Sequence, residues 1–366
     1  MHTRLTAWCR AKISAASGEE LTRLKSQEVF LDNVLSRFGK VQASVSFIRT
    51  LRIPDDGRSY PLPPGFEPFP LRHVDDIAGV PAGWRKTGGV ALPMHPAEAM
   101  WLRFQCHGYP LILRIAAGGI CAVSGQKWET GLTSDPQNYL NLQRQPWLDG
   151  FRVDEDTVRQ FIAMPLGKGL TVESELTGQE SWGGLQLQAF PLKLERYWHS
   201  ILPDLAAEWQ STVAKSQYGV GEICMSVECS ASFREPSAVG EMGLGAGGKM
   251  RQQIYVDDQG IDAWDRTVSS RCYARLCLAE EWTKFTGEKA PHEPPSAKDY
   301  SDAGLPWFSY KSDAPTMTGE TTLTGISSVN KLMKQKVGVG LPDNETLFPL
   351  KTKVIKSKDR KQVSEF

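Results

Sequence analysis

Residues 128–193 combine many Trp, Gly and Pro residues with short apolar runs, and the apolar side chains show no helical period. Gly and Pro mark turns, and short apolar runs between turns are typical of buried strands. In residues 185–190, Leu and Ala alternate with Gln, which predicts a strand with one buried face and one solvated face. The sequence therefore predicts a rigid β scaffold that carries its sites on loops.

The rest of the chain adds further short strands. They are predicted at 45–53, 90–92, 100–104, 111–115, 120–123, 161–164, 223–229, 252–256 and 272–278. Strands and helices do not alternate regularly, which argues against a doubly wound parallel sheet. We predict a β-rich α+β fold with a β-sandwich or jelly-roll-like core, short helical decorations and an N-terminal helix.

The N-terminal helix is predicted from a capping box, in which Ser17 is the N-cap and Glu20 lies three residues later. Leucines follow at helical spacing, and Gly39 is a natural stop. Composition divides the remaining chain into further regions. The predicted organisation is an N-terminal helical extension at 1–41, a β-rich domain at 42–193, a helical connection at 194–216, a second β-rich α+β region at 217–335 and a polar basic tail at 336–366.

The charge balance excludes one class of partner. The chain contains 42 basic and 42 acidic residues, and proteins that bind nucleic acid through phosphate contacts carry a basic surface instead. The longest apolar run, 111–123, is too short to span a bilayer as a helix and contains Arg114. No continuous apolar signal segment opens the chain. We expect a soluble cytoplasmic protein with neither a nucleic-acid nor a membrane partner.

The seven cysteines are scattered and form no CxxC pair. An odd number in a chain of this length favours free, buried thiols in a reducing compartment. The alternative is a metal site built from Cys224, Cys229, Cys272 and Cys277, although its paired cysteines are separated by more residues than in zinc knuckles.

Residues 243–249 fit both GxGxxG and GxxxxGK, the glycine patterns that bind phosphate. Both motifs need a strand before the loop and a helix after it, so that the helix N-terminus meets the phosphate. Here the following residues favour a strand, and Met250 stands where a magnesium-binding Ser or Thr would be. We interpret the segment as a glycine loop between strands, with Gly245 and Gly247 offering backbone donors to a ligand.

Acidic residues concentrate in two places. Glu173, Glu175 and Glu180 lie near Trp182, and paired carboxylates beside an aromatic side chain are what a glycosidase requires. Four aspartates surround Gly260, and oxygen-rich loops of this kind hold calcium. The candidate calcium ligands are Asp257, Asp258, Asp262 and Asp265. We expect no other cofactor.

Four tryptophans, Trp147, Trp182, Trp264 and Trp307, lie in loops flanked by Gly or Pro, where an exposed ring would stack on a sugar or a peptide and a buried ring would belong to the core. Trp147, Trp182 and Trp264, together with Asp149, Gly245 and Gly247, define a predicted ligand site. It is a cleft formed by loops 145–150, 165–184 and 243–265.

Several phrases occur together in this chain, among them MPLGKGLTVESELTG at 164–178, GGLQLQ at 183–188 and SAKDYSDAGLPWF at 296–308. In this combination the chain resembles a family of mainly bacterial soluble proteins, with some fungal relatives, to which no activity is assigned. The resemblance covers about residues 61–332. It implies no catalytic residue.

The functional prediction that follows is a soluble protein that binds a small molecule or a protein partner and performs no catalysis. One alternative is a hydrolase that uses two of the three glutamates as acid and base. A second alternative is an assembly protein, which would form homo-oligomers with Trp residues in the interface.

Overall fold

One large sheet dominates the computed structural model. The structure describes residues 28–32, 42–107, 109–193, 195–197, 240–349 and 351–356. The strands are β1 (Glu28–Asp32), β2 (Gln42–Thr50), β3 (Ser59–Tyr60), β4 (Gly65–Pro68), β5 (Arg72–His73), β6 (Val90–Met94), β7 (Ala99–His107), β8 (Leu111–Ala117), β9 (Ile120–Cys121), β10 (Leu140–Asn141), β11 (Trp147–Leu148), β12 (Gly150–Arg152), β13 (Thr157–Pro165), β14 (Leu185–Pro191), β15 (Glu241–Arg251), β16 (Ser270–Leu278), β17 (Trp307–Lys311) and β18 (Thr352–Lys356). The helices are α1 (Ala82–Thr87), α2 (Val172–Thr177), α3 (Ala279–Thr286), α4 (Ala297–Asp302) and α5 (Val329–Val337).

Sixteen of these strands belong to the large sheet, whose main order is β1-β2-β7-β13-β15-β16-β14-β8-β10. Neighbours along this order pair antiparallel, whereas β3 and β6 join β15 and β16 in parallel. Strands β17 and β18 form a separate parallel pair. The predicted β-rich α+β class is confirmed. A jelly-roll of two separate sheets is not confirmed, because these sixteen strands are continuous.

The sheet bends around one main core. Phe47 of β2 and Leu140 of β10 come from opposite ends of the strand order, and both are fully buried in the same hydrophobic cluster. Burial of apolar surface by strands so far apart in the order requires the sheet to curl over it. The predicted regions 42–193 and 217–335 do not form separate sheets, because β15 and β16 pair with β13 and β14.

Two predictions at the chain ends are wrong within the described residues. Glu28–Asp32 was predicted as part of a helix over 17–39 but forms β1, which pairs along the edge of β2. Pairing at an available sheet edge outweighs local helix propensity. Thr352–Lys356 belongs to the predicted polar basic tail at 336–366, but it forms strand β18 and is not an unpaired extension. Other residues of the predicted N-terminal helix, most of the helical connection at 194–216 and the strand at 223–229 lie outside the described residues.

The predicted solvated face of β14 is also wrong. Gln186 and Gln188 are only 3% and 4% exposed, because every residue of β14 is buried and both faces of this strand are therefore covered. The buried amides are satisfied: Gly119 donates its N–H to Gln186 at 2.7 Å, and Gln188 donates to Ser269 at 3.1 Å. Bonded in this way, a glutamine can occupy a buried strand position without leaving an unpaired polar group.

The glycine motif is not a loop, because residues 243–249 lie inside strand β15. The glycines in this strand are needed for close packing and not for the conformational flexibility of a loop. A Cβ atom on Gly245 would lie 2.5 Å from the carbonyl oxygen of Leu170, and one on Gly248 would lie 2.4 Å from that of Pro54. The strand predicted at 252–256 begins after β15 ends, and its residues form no ladder.

Among the residues that the structure describes, no helix is both long enough and apolar enough to cross a membrane.

Candidate functional site

The three loops of the predicted cleft do not converge. Loop 165–184 contacts the start of β15, where Gly184 donates its N–H to Met242 at 3.1 Å. Loop 145–150 contacts the residue after the end of β15, where Asp149 donates its N–H to the side chain of Gln252 at 2.9 Å. Because a strand rises about 3.3 Å per residue, about 30 Å separates these contacts. The predicted cleft is therefore wrong, and its residues divide between two ends of one strand.

At the first end, Glu173 stabilises the loop that carries Trp182. The carboxylate is 2% exposed and lies in the first turn of α2. It accepts backbone N–H groups from Ser181 and Trp182 at 2.7 Å each and from Gly183 at 3.0 Å. Burial raises the pKa of Glu173, although these three donors oppose the rise. The side chain acts as a clamp for residues 181–183.

Glu175 and Glu180 bind other backbone segments. The Glu180 carboxylate accepts the N–H of Gly167 and of Gly169, as well as the Thr171 hydroxyl at 2.7 Å. Glu175 accepts the N–H of Ser327 with both oxygens, at 2.8 and 3.0 Å. Each predicted acid is therefore engaged with a different loop, and the geometry gives the paired-glutamate hydrolase no support.

We expect Glu173→Gln to lower the free energy of unfolding by about 2–3 kcal/mol, because an amide NH2 would face backbone donors in a buried site. Urea denaturation at pH 7 would measure the change. Glu175→Gln is the matched control: it lies in the same helix but is exposed, and we expect a loss below about 1 kcal/mol. Equal stability of Glu173→Gln and the wild type would contradict the clamp.

The four predicted calcium ligands point to separate partners. Asp257 is buried and accepts hydrogen bonds from Tyr139 at 2.9 Å, from Asn141 at 3.0 Å and from the Trp264 indole at 2.7 Å. Asp258 accepts a hydrogen bond from Arg144, Asp262 accepts one from Arg266, and Asp265 accepts one from Thr267. No three His, Cys, Asp or Glu side chains converge on a metal position within the described part of the chain. The geometry thus gives the calcium prediction no support, and Trp264 is a core residue.

Other predicted site residues are also structural. Gly245 and Gly247 lie within β15, and Gly245 pairs with Ile162 of β13, so this strand does not present their amides on a loop. Cys277 is a buried free thiol, as predicted, and Cys272 is half-buried. Cys224 and Cys229 lie outside the described residues.

At the second end of β15, Trp147 belongs to a continuous set of aromatic rings, which we call the aromatic row. It consists of Trp101, Trp147, Tyr310 and Tyr255. Successive ring centroids are 6.4, 4.8 and 6.1 Å apart, and each pair packs edge to face. Such offset contacts are the favoured geometry for aromatic rings.

The row is assembled from segments far apart in sequence. Trp101 is on β7, Trp147 on β11, and Tyr310 on β17, which is not part of the large sheet. Trp101 and Tyr310 are half-buried, and Trp147 is 9% exposed. Tyr255 is only 1% exposed, so solvent reaches the row mainly at Trp101 and Tyr310. Sequence patterns did not identify Trp101 or Tyr310. Because side chains alternate along a strand, Trp101 would be expected on the face of β7 opposite Leu102.

Hydrogen bonds fix the segments beneath the row. Gln145 donates to the carbonyl of Trp147 at 3.0 Å and accepts the N–H of Tyr255 at 3.2 Å. One glutamine thereby joins two ring-bearing segments. A surface held by buried side-chain hydrogen bonds is pre-organised, so a ligand need not supply the cost of ordering it.

Asp149 lies under the row, two residues after Trp147. It is 3% exposed, and Gln252 donates to its carboxylate at 2.6 Å while accepting its backbone N–H. Burial raises the pKa of Asp149 to about 7, and hydrogen bonds from Gln252 and Trp147 oppose the rise. Among the described residues Asp149 forms no ion pair. It is a buried support for the row and is too enclosed to meet a substrate.

Comparison with known proteins adds no assignment. No family model, no curated protein and no solved structure matches the chain. The resemblance to a mainly bacterial family therefore stays a prediction, and inference about function depends on the geometry of the aromatic row.

Proposed function

We propose that the protein binds carbohydrate, and that it holds an extended, uncharged glycan against the aromatic row. The observation that supports this most is the succession of ring contacts from Trp101 through Trp147 to Tyr310, with the two end residues half-buried. Pyranose rings present apolar C–H faces that pack on the rings of Trp and Tyr side chains.

The chemistry of the described residues favours binding over catalysis. The predicted acids Glu173, Glu175 and Glu180 all accept hydrogen bonds from structural donors. A general acid or base has to reach the proton that it transfers, and the buried Asp149 cannot do so. Stacked nucleobases also bind aromatic rows, but they require a positively charged groove, and this chain has no net charge.

The test is a titration of intrinsic Trp fluorescence with soluble oligosaccharides of several backbone linkages. We expect Trp101→Ala to weaken binding of the responding oligosaccharide about fivefold, because one aromatic contact contributes about 1 kcal/mol beyond its buried area. Trp182→Ala is the matched control, since Trp182 is also half-buried but lies at the other end of β15. We expect it to leave the dissociation constant unchanged.

Two results would contradict this proposal. Equal losses in Trp101→Ala and Trp182→Ala would show that the aromatic row is not the binding surface. Binding of a proline-rich peptide, with no response to any oligosaccharide, would preserve the surface but reject the ligand class, because extended proline-rich segments also dock on aromatic side chains.

A further inference from the structure

The segment that follows α5 folds back along this helix and leaves a cavity beside it. Gly338 ends α5 in the left-handed conformation, with a φ angle of 80°, and donates its N–H to the carbonyl of Lys334 at 3.1 Å. Such a cap reverses the direction of the chain. The chain then returns to the first turn of α5, where Leu341 donates its N–H to the Asn330 side chain at 2.9 Å. The cavity has a volume of about 430 Å³, which is enough for a small molecule.

Two polar side chains of α5 line the cavity. Asn330 and Lys334 are four residues apart, so they lie on the same face of the helix. Asn330 is only 4% exposed, and its Oδ1 atom accepts the Leu341 N–H, which assigns the other end of the amide as the Nδ2 donor. Within the described part of the chain this donor has no acceptor, and it remains accessible to solvent. A buried amide that is fixed at one end therefore offers its free donor to the cavity.

Lys334 supplies the positive charge of the cavity. A Cβ atom on Gly340 would lie 2.8 Å from Lys334 Cε and 2.5 Å from Asn330 Oδ1, so only a glycine leaves room between the two side chains. Among the residues that the structure describes, no carboxylate pairs with Lys334 and no acidic side chain lines the cavity. Asn344, the remaining polar side chain of the lining, is already engaged, because it bonds to both backbone groups of Asp55 at 2.8 and 3.2 Å.

The opposite wall of the cavity is apolar. It is formed by Val339, Leu341 and Pro342, and Val339 is 66% exposed. The Arg52 guanidinium donates to the carbonyl of Pro342 and so holds this wall in place. An apolar wall that faces one cation and one amide donor suits a ligand with one anionic group and one apolar group.

We propose that this cavity binds a small carboxylate that carries an aliphatic tail. The carboxylate would accept hydrogen bonds from the Lys334 ammonium and the Asn330 amide, and the tail would cover Val339 and Leu341. A single cation favours a carboxylate over a phosphate group, which carries close to two negative charges at neutral pH. None of the lining residues belongs to the aromatic row, so this proposal does not depend on glycan binding.

Lys334→Met tests the charged contact, because methionine removes the ammonium and keeps a long, flexible side chain. The probe is octanoate, and its dissociation constant is measured by isothermal titration calorimetry with the full chain at pH 7. We expect Lys334→Met to weaken binding about tenfold or more, because a hydrogen bond to a charged group is lost. Lys331→Met is the matched control, since Lys331 is exposed on the same helix but does not line the cavity. We expect it to bind octanoate as the wild type does.

Asn330→Asp tests the second donor. Aspartate keeps an acceptor for the Leu341 N–H but replaces the amide NH2 with a negatively charged oxygen, so we expect binding to weaken about tenfold or more. Octanol has the same tail without the carboxylate, and we expect it to bind more weakly than octanoate by a similar factor. Thermal unfolding would confirm that all three variants keep the wild-type fold. Equal affinity of the wild type and Lys334→Met, equal affinity for octanol and octanoate, or no saturable binding of octanoate would overturn the proposal.

Discussion

Gly245→Ala is expected to lower the free energy of unfolding by about 3 kcal/mol or more. The new Cβ atom would lie 2.5 Å from the carbonyl oxygen of Leu170 and 2.4 Å from a methyl carbon of Val329. The Val329 side chain can shift, but the Leu170 contact is with backbone and requires movement of the segment that leads into α2. Overpacking in a dense interior commonly costs about 1–3 kcal/mol, and a backbone contact belongs at the upper end of that range.

Gly325→Ala is the matched control for this substitution, because no heavy atom lies within 4 Å of the Cβ position at Gly325. Urea denaturation of both variants at pH 7 measures the difference. We expect Gly325→Ala to stay within about 0.5 kcal/mol of the wild type. If Gly245→Ala were equally neutral, residues 243–249 would behave as a flexible loop, and their assignment to a buried strand would be contradicted.

Asp149→Asn is expected to stabilise the protein in alkaline solution and to have little effect in acid. In the unfolded chain an Asp carboxyl has a pKa of about 3.9, whereas burial raises the pKa of Asp149 to about 7 in the folded protein. Between these values the folded state binds more protons, so the wild-type stability falls as pH rises from about 4 to about 7. At pH 8 the full penalty for the buried charge applies, on the order of 4 kcal/mol.

Asparagine carries no charge and can still accept the hydrogen bond from Gln252. We therefore expect Asp149→Asn to be more stable than the wild type by up to about 4 kcal/mol at pH 8 and by almost nothing at pH 4. Urea denaturation at the two pH values measures this. The surface variant Asp258→Asn is the control, with changes below about 1 kcal/mol at both values. A destabilised Asp149→Asn at pH 8 would show that the ionised carboxylate is required beneath the row.

Local turn and capping chemistry made part of this fold predictable. The Gly118-Gly119 dipeptide is typical of a turn, and both residues have positive φ angles, 57° and 73°. Ser296 and Asp299 have the residue types and spacing of a helix cap, and they form a complete capping box at α4. These features depend on residues close together in sequence, so their residue types carry the information directly.

The remaining features depend on contacts that no local pattern encodes. The glycines of β15 resemble a loop motif, but they are required because Leu170 and Pro54 approach the strand from distant parts of the chain. Gln186 and Gln188 resemble a solvated face, but both faces of β14 are covered by tertiary packing. A rule based on composition assigns to each residue the environment that its type has on average, so it misses such exceptions.

The candidate site was predictable only in part. Trp147 and Asp149 were identified from their Gly- and Pro-flanked loop, and the structure places both at the aromatic row. Trp182 and Trp264 lie in loops of similar composition, but the structure places them away from the row. The backbone N–H of Trp182 is bound by Glu173, and the indole of Trp264 donates to Asp257. The partners Trp101 and Tyr310 come from strands distant in sequence, so the row exists only after β7 and β17 are brought together.

The most direct test of glycan binding is to follow the indole N–H signals of the 15N-labelled protein by NMR during titration with soluble oligosaccharides. Trp→Phe variants would assign the signals of Trp101, Trp147, Trp182 and Trp264. Binding at the aromatic row predicts concentration-dependent shifts for Trp101 and Trp147, with Trp182 and Trp264 unchanged. Shifts confined to Trp182, or no shift with any oligosaccharide, would contradict it.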